Sequence, residues 1–238
     1  MNLELMPRTT SHDVSGFGVF SHGDAGHAHV MAHRMLDEGQ HELGHRLLGT
    51  WLVGHDGSDS DWTHLQWHMA VFEIAVGNWE AASARFETHI LPVAAHTYNA
   101  LTDAPAMLWR LGLAAPRPVT LAWKPVHATA VHRLTRPSSP YVELHCLLAL
   151  AGAGDVEGLD RWLHGRRITE DPRAKLLAQM GVGLRAFAAD DYELASVVLA
   201  RAAPKVSNLG GSHAQNLLFS EIADLCWART QTTTRTAA

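Results

Sequence analysis

Apolar residues recur at helical spacing along most of the chain, and short turns rich in glycine or aspartate interrupt them. Residues 61–92 form the clearest unit, in which an apolar stretch is followed by Gly77, then by Trp79 and Phe86, and finally by Pro92. Small side chains on both sides of the turn allow two helices to approach closely, and glycine suits the turn itself. The pattern therefore predicts a helical hairpin.

The same pattern repeats along the chain. The residues that align with one another at the predicted turns, about 38, 77 and 36 residues apart, are Gly39, Gly77, Gly154 and Asp190. The wide interval is close to two periods, so residues 97–136 are expected to hold another, irregular hairpin. Asp103 followed by Pro105 predicts a helix start there. No segment shows the sustained alternation of a strand, which indicates an all-α fold.

The order of apolar face, glycine, aromatics and proline in residues 61–92 is typical of a tetratricopeptide repeat. It predicts antiparallel helical hairpins stacked into a right-handed solenoid. A last helix, from about Ser212 to Arg229, is expected to cap the stack. The predicted organisation is an N-terminal segment over 1–22 of uncertain structure, a helical-repeat domain over 23–230 and a flexible tail over 231–238.

Charge and composition narrow the function. The 19 Lys and Arg against 24 Asp and Glu give a net charge of -5, so no basic field is available for a nucleic acid. The chain has no apolar run of membrane-spanning length and no leader of the secretory kind, so we expect a cytoplasmic protein that does not bind membranes. Cys146 and Cys226 are too few for a disulfide framework.

The unusual feature is the number of histidines, 17 in all. Two pairs with a spacing of four residues lie on the first helices of consecutive hairpins. Residues four apart share one helix face, so both imidazoles of a pair can hold one cation. A further histidine, His145, has the same register to Gly154 that His68 has to Gly77. The predicted metal ligands are His29, His33, His64, His68 and His145.

Acidic and polar partners are also expected, because a ligating imidazole usually donates its other nitrogen to a carboxylate or a carbonyl. The predicted catalytic residues are Asp103, Glu73 and His213. Helix capping alone is the alternative for Asp103, and a plain exposed position is the alternative for Glu73. The turn at Gly210–Gly211 predicts either an anion site on exposed N–H groups, with His213 pointing into the groove, or an ordinary turn.

Several motifs occur in order: HVMAH over 29–33, HLQWHMAVF over 64–72, GNWEAA over 77–82, THILP over 88–92, DAPAMLWRL over 103–111 and GGSHAQ over 210–215. Together they resemble the tetratricopeptide repeat protein 38 family. The resemblance implies a helical-repeat fold, without a particular activity. It covers only the second half of that family's typical length. This implies either that the groove of a shorter relative has been reused or that a partner supplies the remaining repeats.

These observations favour a helical-repeat protein with a concave pocket lined by histidine, in which iron, zinc or copper acts on a small molecule. An oxygenase and a hydrolase are both open as reaction types. The alternative is a tetratricopeptide-type module that binds a peptide or protein without catalysis, which is the usual role of such repeats. A protein partner or a homo-oligomer is compatible with either hypothesis.

Overall fold

The computed structural model describes residues 24–55, 57, 61–98, 100–166 and 170–236. The first half of these residues forms α1 (Ala25–Asp37), α2 (His41–Val53), α3 (Trp62–Ala75), α4 (Trp79–Arg85), α5 (Leu91–Ala94) and α6 (Ala104–Ala114). The second half forms α7 (Trp123–Leu134), α8 (Pro140–Gly152), α9 (Val156–His164), α10 (Pro172–Ala188), α11 (Tyr192–Ala202) and α12 (His213–Thr236). A π-helical turn (Phe86–Ile90) joins α4 to α5, and a 3-10 helix (Ala203–Asn208) precedes α12. The described ranges contain no strand, which confirms the all-α prediction there, and the N-terminal segment over 1–22 lies outside them.

The four turn positions that the sequence aligned share one backbone conformation. Their φ angles are 67° at Gly39, 79° at Gly77, 73° at Gly154 and 59° at Asp190. In each turn the next residue donates its N–H to the carbonyl five residues back, at 2.8 to 2.9 Å. This bond and the left-handed residue before it form the common glycine-type end of a helix. The predicted hairpin turns are therefore confirmed.

In three of the four hairpins, the residue after the turn position caps the second helix. The side chains of Asn78, Asp155 and Asp191 each accept a hydrogen bond from the backbone N–H three residues later, at 3.2, 2.8 and 3.1 Å. Such a cap satisfies a donor that the new helix leaves open and stabilises it by about 1 kcal/mol. Local sequence therefore determines where these hairpins turn.

The predicted irregular hairpin is formed by α6 and α7, which the proline-containing segment 115–122 connects. Asp103 lies at the start of α6 as expected, but its side chain makes no capping hydrogen bond. Its carboxylate contacts a histidine of α3 instead. The capping interpretation of this residue is therefore wrong.

Successive first helices pack against one another in the order α1, α3, α6, α8 and α10. Each also contacts the second helix of its own hairpin. The last helix, α12, contacts α11 and reaches back to α6 and α1. It also extends to Thr236, beyond the end expected at Arg229. Because α3 contacts both α1 and α6, polar side chains from these three helices can meet inside the protein.

The sequence also predicted no membrane-spanning segment and no disulfide framework. Among the helices of the described ranges, none has the length and apolar character needed to cross a bilayer. Cys146 and Cys226 are both buried and free. Burial raises the pKa of the Cys146 thiol to about 12, so it stays protonated at neutral pH.

Candidate metal centre

Four histidines from two helices meet at one point. They are His29 and His33 from α1 and His64 and His68 from α3, and their ligand nitrogens all lie within 4.8 Å of one another. Each pair is on one helix face because its members are four residues apart. The direct packing of α1 on α3 then brings the two faces together. The group is close enough to hold one metal ion.

The spacing within the group suits an ion bound by imidazoles. The Nε2 atoms of His29 and His33 are 2.8 Å apart. Two nitrogens about 2.1 Å from one ion lie about 3.0 Å apart at a right angle and about 3.4 Å apart in a tetrahedron. The ring centroids of His33 and His68 are 4.4 Å apart, and those of His29 and His64 are 4.8 Å apart. The nitrogen–nitrogen distances, from 2.8 Å to at most 4.8 Å, are therefore close to those that one shared ion requires.

A buried carboxylate orients one of the four rings. The Nδ1 atom of His64 lies 3.0 and 2.9 Å from the two carboxylate oxygens of Asp103, which is 3% exposed. With its Nδ1–H donated to Asp103, the ring keeps its Nε2 lone pair for the group, as second-shell carboxylates commonly arrange. Burial opposes protonation of His64, but the hydrogen bond to Asp103 and the charges of Asp103 and Asp61 outweigh it and raise its pKa.

Burial keeps the other three rings neutral. Burial is the largest of the causes that lower the pKa values of these rings. The pKa of His29 is lowered, that of His33 falls to about 4, and that of His68 falls well below its ordinary value. Repulsion among the histidines acts in the same direction. Neutral imidazoles offer the lone pairs that a metal requires at neutral pH.

The innermost ring, His68, is fully buried, and neither of its nitrogens has a hydrogen-bond partner among the described residues. A buried polar group without a partner is costly, typically by about 1 to 3 kcal/mol. A bound cation would give one of these nitrogens a partner. The rings of His29, His33 and His64 are partly exposed, so the group is reached from their side.

His145 does not join the four histidines. It is fully buried on α8, at the same distance from its turn as His68, but α6 packs between α3 and α8. Its Nδ1–H donates to the backbone carbonyl of Tyr141 at 2.9 Å. Burial lowers the pKa of His145 to about 4, so this ring is neutral as well.

Glu73 faces away from the histidines and forms an ion pair with Arg85 of α4, with nitrogen–oxygen distances of 2.7 and 2.9 Å. It is 2% exposed, so the alternative of a plain surface residue is wrong. The pair joins the two helices of one hairpin. The position of Glu73 gives it a structural contact rather than a place beside the metal centre.

His213 is exposed at the start of α12 and lines a shallow surface cavity with residues of the preceding 3-10 helix. The structure does not bring it to the four histidines. The turn before it is closed internally. Ser212 N–H donates to the Gln215 side chain at 2.9 Å, and Gln215 N–H donates to the Ser212 hydroxyl at 3.2 Å. This reciprocal capping occupies two of the N–H groups at the turn, which favours an ordinary turn over an anion site.

One residue near the centre was not predicted as functional. Arg110 on α6 is 7% exposed, lies with its guanidinium 5.4 Å from the ring centroid of Trp67, and donates from Nη2 to the Ala214 carbonyl at 2.6 Å. It is the single charged residue of an otherwise apolar helix, and it follows Asp103 by two helical turns on the same face. Those two features were available in the sequence.

Comparison with known proteins leaves the family open. No family model matches the chain, and no solved structure matches it.

Proposed function

We propose that this protein binds a transition metal at His29, His33, His64 and His68 and uses it to act on a small molecule. The observation that carries the proposal is the convergence of four imidazole nitrogens within 4.8 Å, drawn from two neighbouring helices. A buried carboxylate, Asp103, accepts a hydrogen bond from one of them, His64. This combination of ligands and supporting hydrogen bond is common in metal sites.

The donor set favours some metals over others. Four imidazoles suit zinc, iron or copper, whereas magnesium and calcium prefer oxygen ligands. In a tetrahedral zinc site, four histidines fill every position. On a six-coordinate ion, the same four leave two positions open for a substrate, for water or for oxygen. Catalysis therefore favours an ion with more than four coordination positions, and both hydrolysis and oxygen chemistry are compatible with it.

The residues of the chain have separate tasks in this proposal. His29 and His33 lie at the accessible side, where a small molecule would approach. His68 would bind the ion from the buried side of the group. Asp103 holds the proton on Nδ1 of His64, which keeps its Nε2 directed at the metal. Glu73 and His213 have no part in it because they lie elsewhere.

We also propose that the architecture is a tetratricopeptide-like solenoid related to the tetratricopeptide repeat protein 38 family. The recurring turn geometry at Gly39, Gly77, Gly154 and Asp190 supports it. The serial packing of first helices supports it as well. As a peptide-binding module, the protein would need the inner faces of these helices to be free. The contacts of α12 with α1 and α6 occupy part of them, which favours the metal-dependent hypothesis.

Metal analysis of the purified protein tests the site. We expect one equivalent of metal per chain in the native protein and a loss of that metal in the His64→Ala, His68→Ala double variant. The matched control is the His41→Ala, His45→Ala variant, which removes a pair of the same spacing from α2. Substoichiometric metal in the native protein after supplementation with zinc, iron and copper salts would refute the proposal.

Cobalt substitution tests whether the centre can act on a small molecule. The absorption bands of cobalt(II) distinguish four-coordinate from higher-coordinate sites. We expect the bands to change when azide is added, because an open position accepts it. A tetrahedral spectrum that azide does not alter would mean a closed, structural site, and it would contradict a catalytic role.

A further inference from the structure

The buried Arg110 lacks a counter-ion in the part of the chain that the structure describes. Its Nη2 donates to the Ala214 carbonyl, and its Nη1 is buried without a hydrogen-bond partner. None of the ion pairs among the described residues includes it. Burial lowers the pKa of Arg110, and the negative charge of Glu221 partly offsets this effect. A buried charge of this kind is costly unless a partner satisfies it.

The surroundings of Arg110 contain further donors without partners. Trp67, over whose ring the guanidinium lies, is fully buried, and its Nε1–H donates to no described residue. The hydroxyl of Tyr141 on α8 is likewise buried without a partner. Asp103 is not available to neutralise Arg110, because its two oxygens face His64. The region therefore contains three buried donors without a partner among the described residues.

Arg110 also borders an open space. It lines a cavity of about 400 Å³ between α3, α6 and α12. Apolar side chains form most of the remaining wall, among them Val71, Ile74 and Leu217, and the other polar residues of the wall are His41 and Glu221. An organic molecule in this cavity would lie beside Arg110 and could bury an apolar body against this wall.

We propose that Arg110 binds the carboxylate of a small organic acid whose apolar body occupies this cavity. One guanidinium matches the single charge of a carboxylate, and it can donate in a fixed, planar geometry. The apolar wall favours a carboxylate with a hydrocarbon chain over inorganic phosphate. The assignment of this acid as the substrate of the metal centre rests on the proposed function. The binding site itself rests on Arg110 and the cavity.

The position of Arg110 relates the cavity to the metal centre. Arg110 and Asp103 share one face of α6, and Arg110 is one of the groups whose charge lowers the pKa of His68. Trp67 is close to both Arg110 and His68. The centroid of its ring lies 5.0 Å from that of His68 and 5.4 Å from the Arg110 guanidinium. A carboxylate held at Arg110 would thus lie in the neighbourhood of the four histidines.

Calorimetric titration of metal-free protein, kept in a chelator, tests the site with defined probes. We expect sodium octanoate to bind, and acetate to bind more weakly by about threefold to fourfold for each methylene that octanoate buries. Octanamide has nearly the same shape without the charge, and it should bind about 10- to 100-fold more weakly than octanoate, because it loses the charged hydrogen bonds.

Two variants locate the binding. Arg110→Met should abolish the preference for octanoate over octanamide, whereas the exposed Arg117→Met is the matched control and should keep it. If Arg110→Met does not fold, Leu217→Trp serves instead. Leu217 is 45% exposed at the cavity, so tryptophan can fill the space without entering the core. It should weaken octanoate binding and leave acetate binding unchanged.

The results separate this inference from the proposed function. Octanoate binding that persists in the His64→Ala, His68→Ala variant supports the Arg110 site even if the metal proposal fails. Equal binding of octanoate and octanamide, an unchanged preference in Arg110→Met, or tighter binding of inorganic phosphate than of octanoate would each overturn the inference. Normal metal content in Arg110→Met would then leave the metal proposal standing.

Discussion

Asp103 accepts a hydrogen bond from His64 across the interface between α6 and α3, with both carboxylate oxygens 2.9 to 3.0 Å from Nδ1. The two residues are 39 positions apart in the sequence. Asp103 immediately precedes α6, at the position where an aspartate would ordinarily cap the helix, yet its side chain bonds to the histidine instead. The carboxylate thus makes no capping bond within its own helix and bonds to a residue distant in the sequence. This hydrogen bond orients the His64 ring.

Removing this carboxylate should weaken metal binding without removing a ligand. Asp103→Asn is expected to reduce the metal affinity about 10- to 100-fold, because the ring of His64 loses its orientation and part of its basicity. Competition with a chromophoric chelator measures this change. Asp155→Asn is the control, because Asp155 forms a similar pair with His127 at 2.8 Å in another hairpin. An equal loss of affinity in both variants would contradict a specific role for Asp103.

Glu73 should prove to be structural. Glu73→Gln removes the negative charge of a buried ion pair with Arg85, whose side chain is 21% exposed and also donates to Gln66. We expect a loss of about 2 to 3 kcal/mol in the free energy of unfolding, measured by urea denaturation. Metal content should remain at the native level. A stable Glu73→Gln variant that has lost its metal would instead restore the catalytic interpretation of this residue.

His145 should make the protein sensitive to acid. Its pKa is about 4 in the folded protein against an ordinary value of 6.5, so the unfolded chain binds the additional proton between these pH values. Its contribution is complete above about pH 6.5, falls as the pH decreases toward about 4, and amounts to about 3 kcal/mol.

The test compares variants by urea denaturation at pH 7 and pH 4.5 in the presence of a chelator. His145→Gln should lose less stability between these pH values than the native protein, by about 2 to 3 kcal/mol. His164→Gln is the matched control, because exposed His164 makes the same type of bond to a carbonyl four residues back, at 2.7 Å. A parallel acid response in the native protein and His145→Gln would contradict the prediction.

A side chain at the turn glycines should destabilise the protein because of their backbone conformation. Gly77 has a φ of 79°, and an added Cβ would meet no other atom within 4 Å, so only the backbone strain counts. Gly77→Ala is expected to cost about 1 to 2 kcal/mol in thermal or urea unfolding. Gly54→Ala, at a φ of -81°, should cost far less. Equal costs at both positions would mean that the turn geometry is not the cause.

Local patterns in the sequence determined the helices, the hairpin turns and the two histidine pairs. Helical periodicity gave the faces, and the four aligned turn residues all adopt the left-handed conformation that ends a helix. These features depend on neighbours within about five positions, so the order of residues specifies them directly. The pairing of His29 with His33 and of His64 with His68 follows from the same short-range geometry.

Only the tertiary structure decided which histidines meet and which charged groups stay buried beside them. The repeat register predicted His145 as a fifth ligand, but α6 packs between α3 and α8 and brings Asp103 and Arg110 into that space instead. Register fixes the height of a residue on its helix and the face that it occupies. The distance between two helices depends on which helix packs between them, and side-chain volumes and long-range contacts determine that packing.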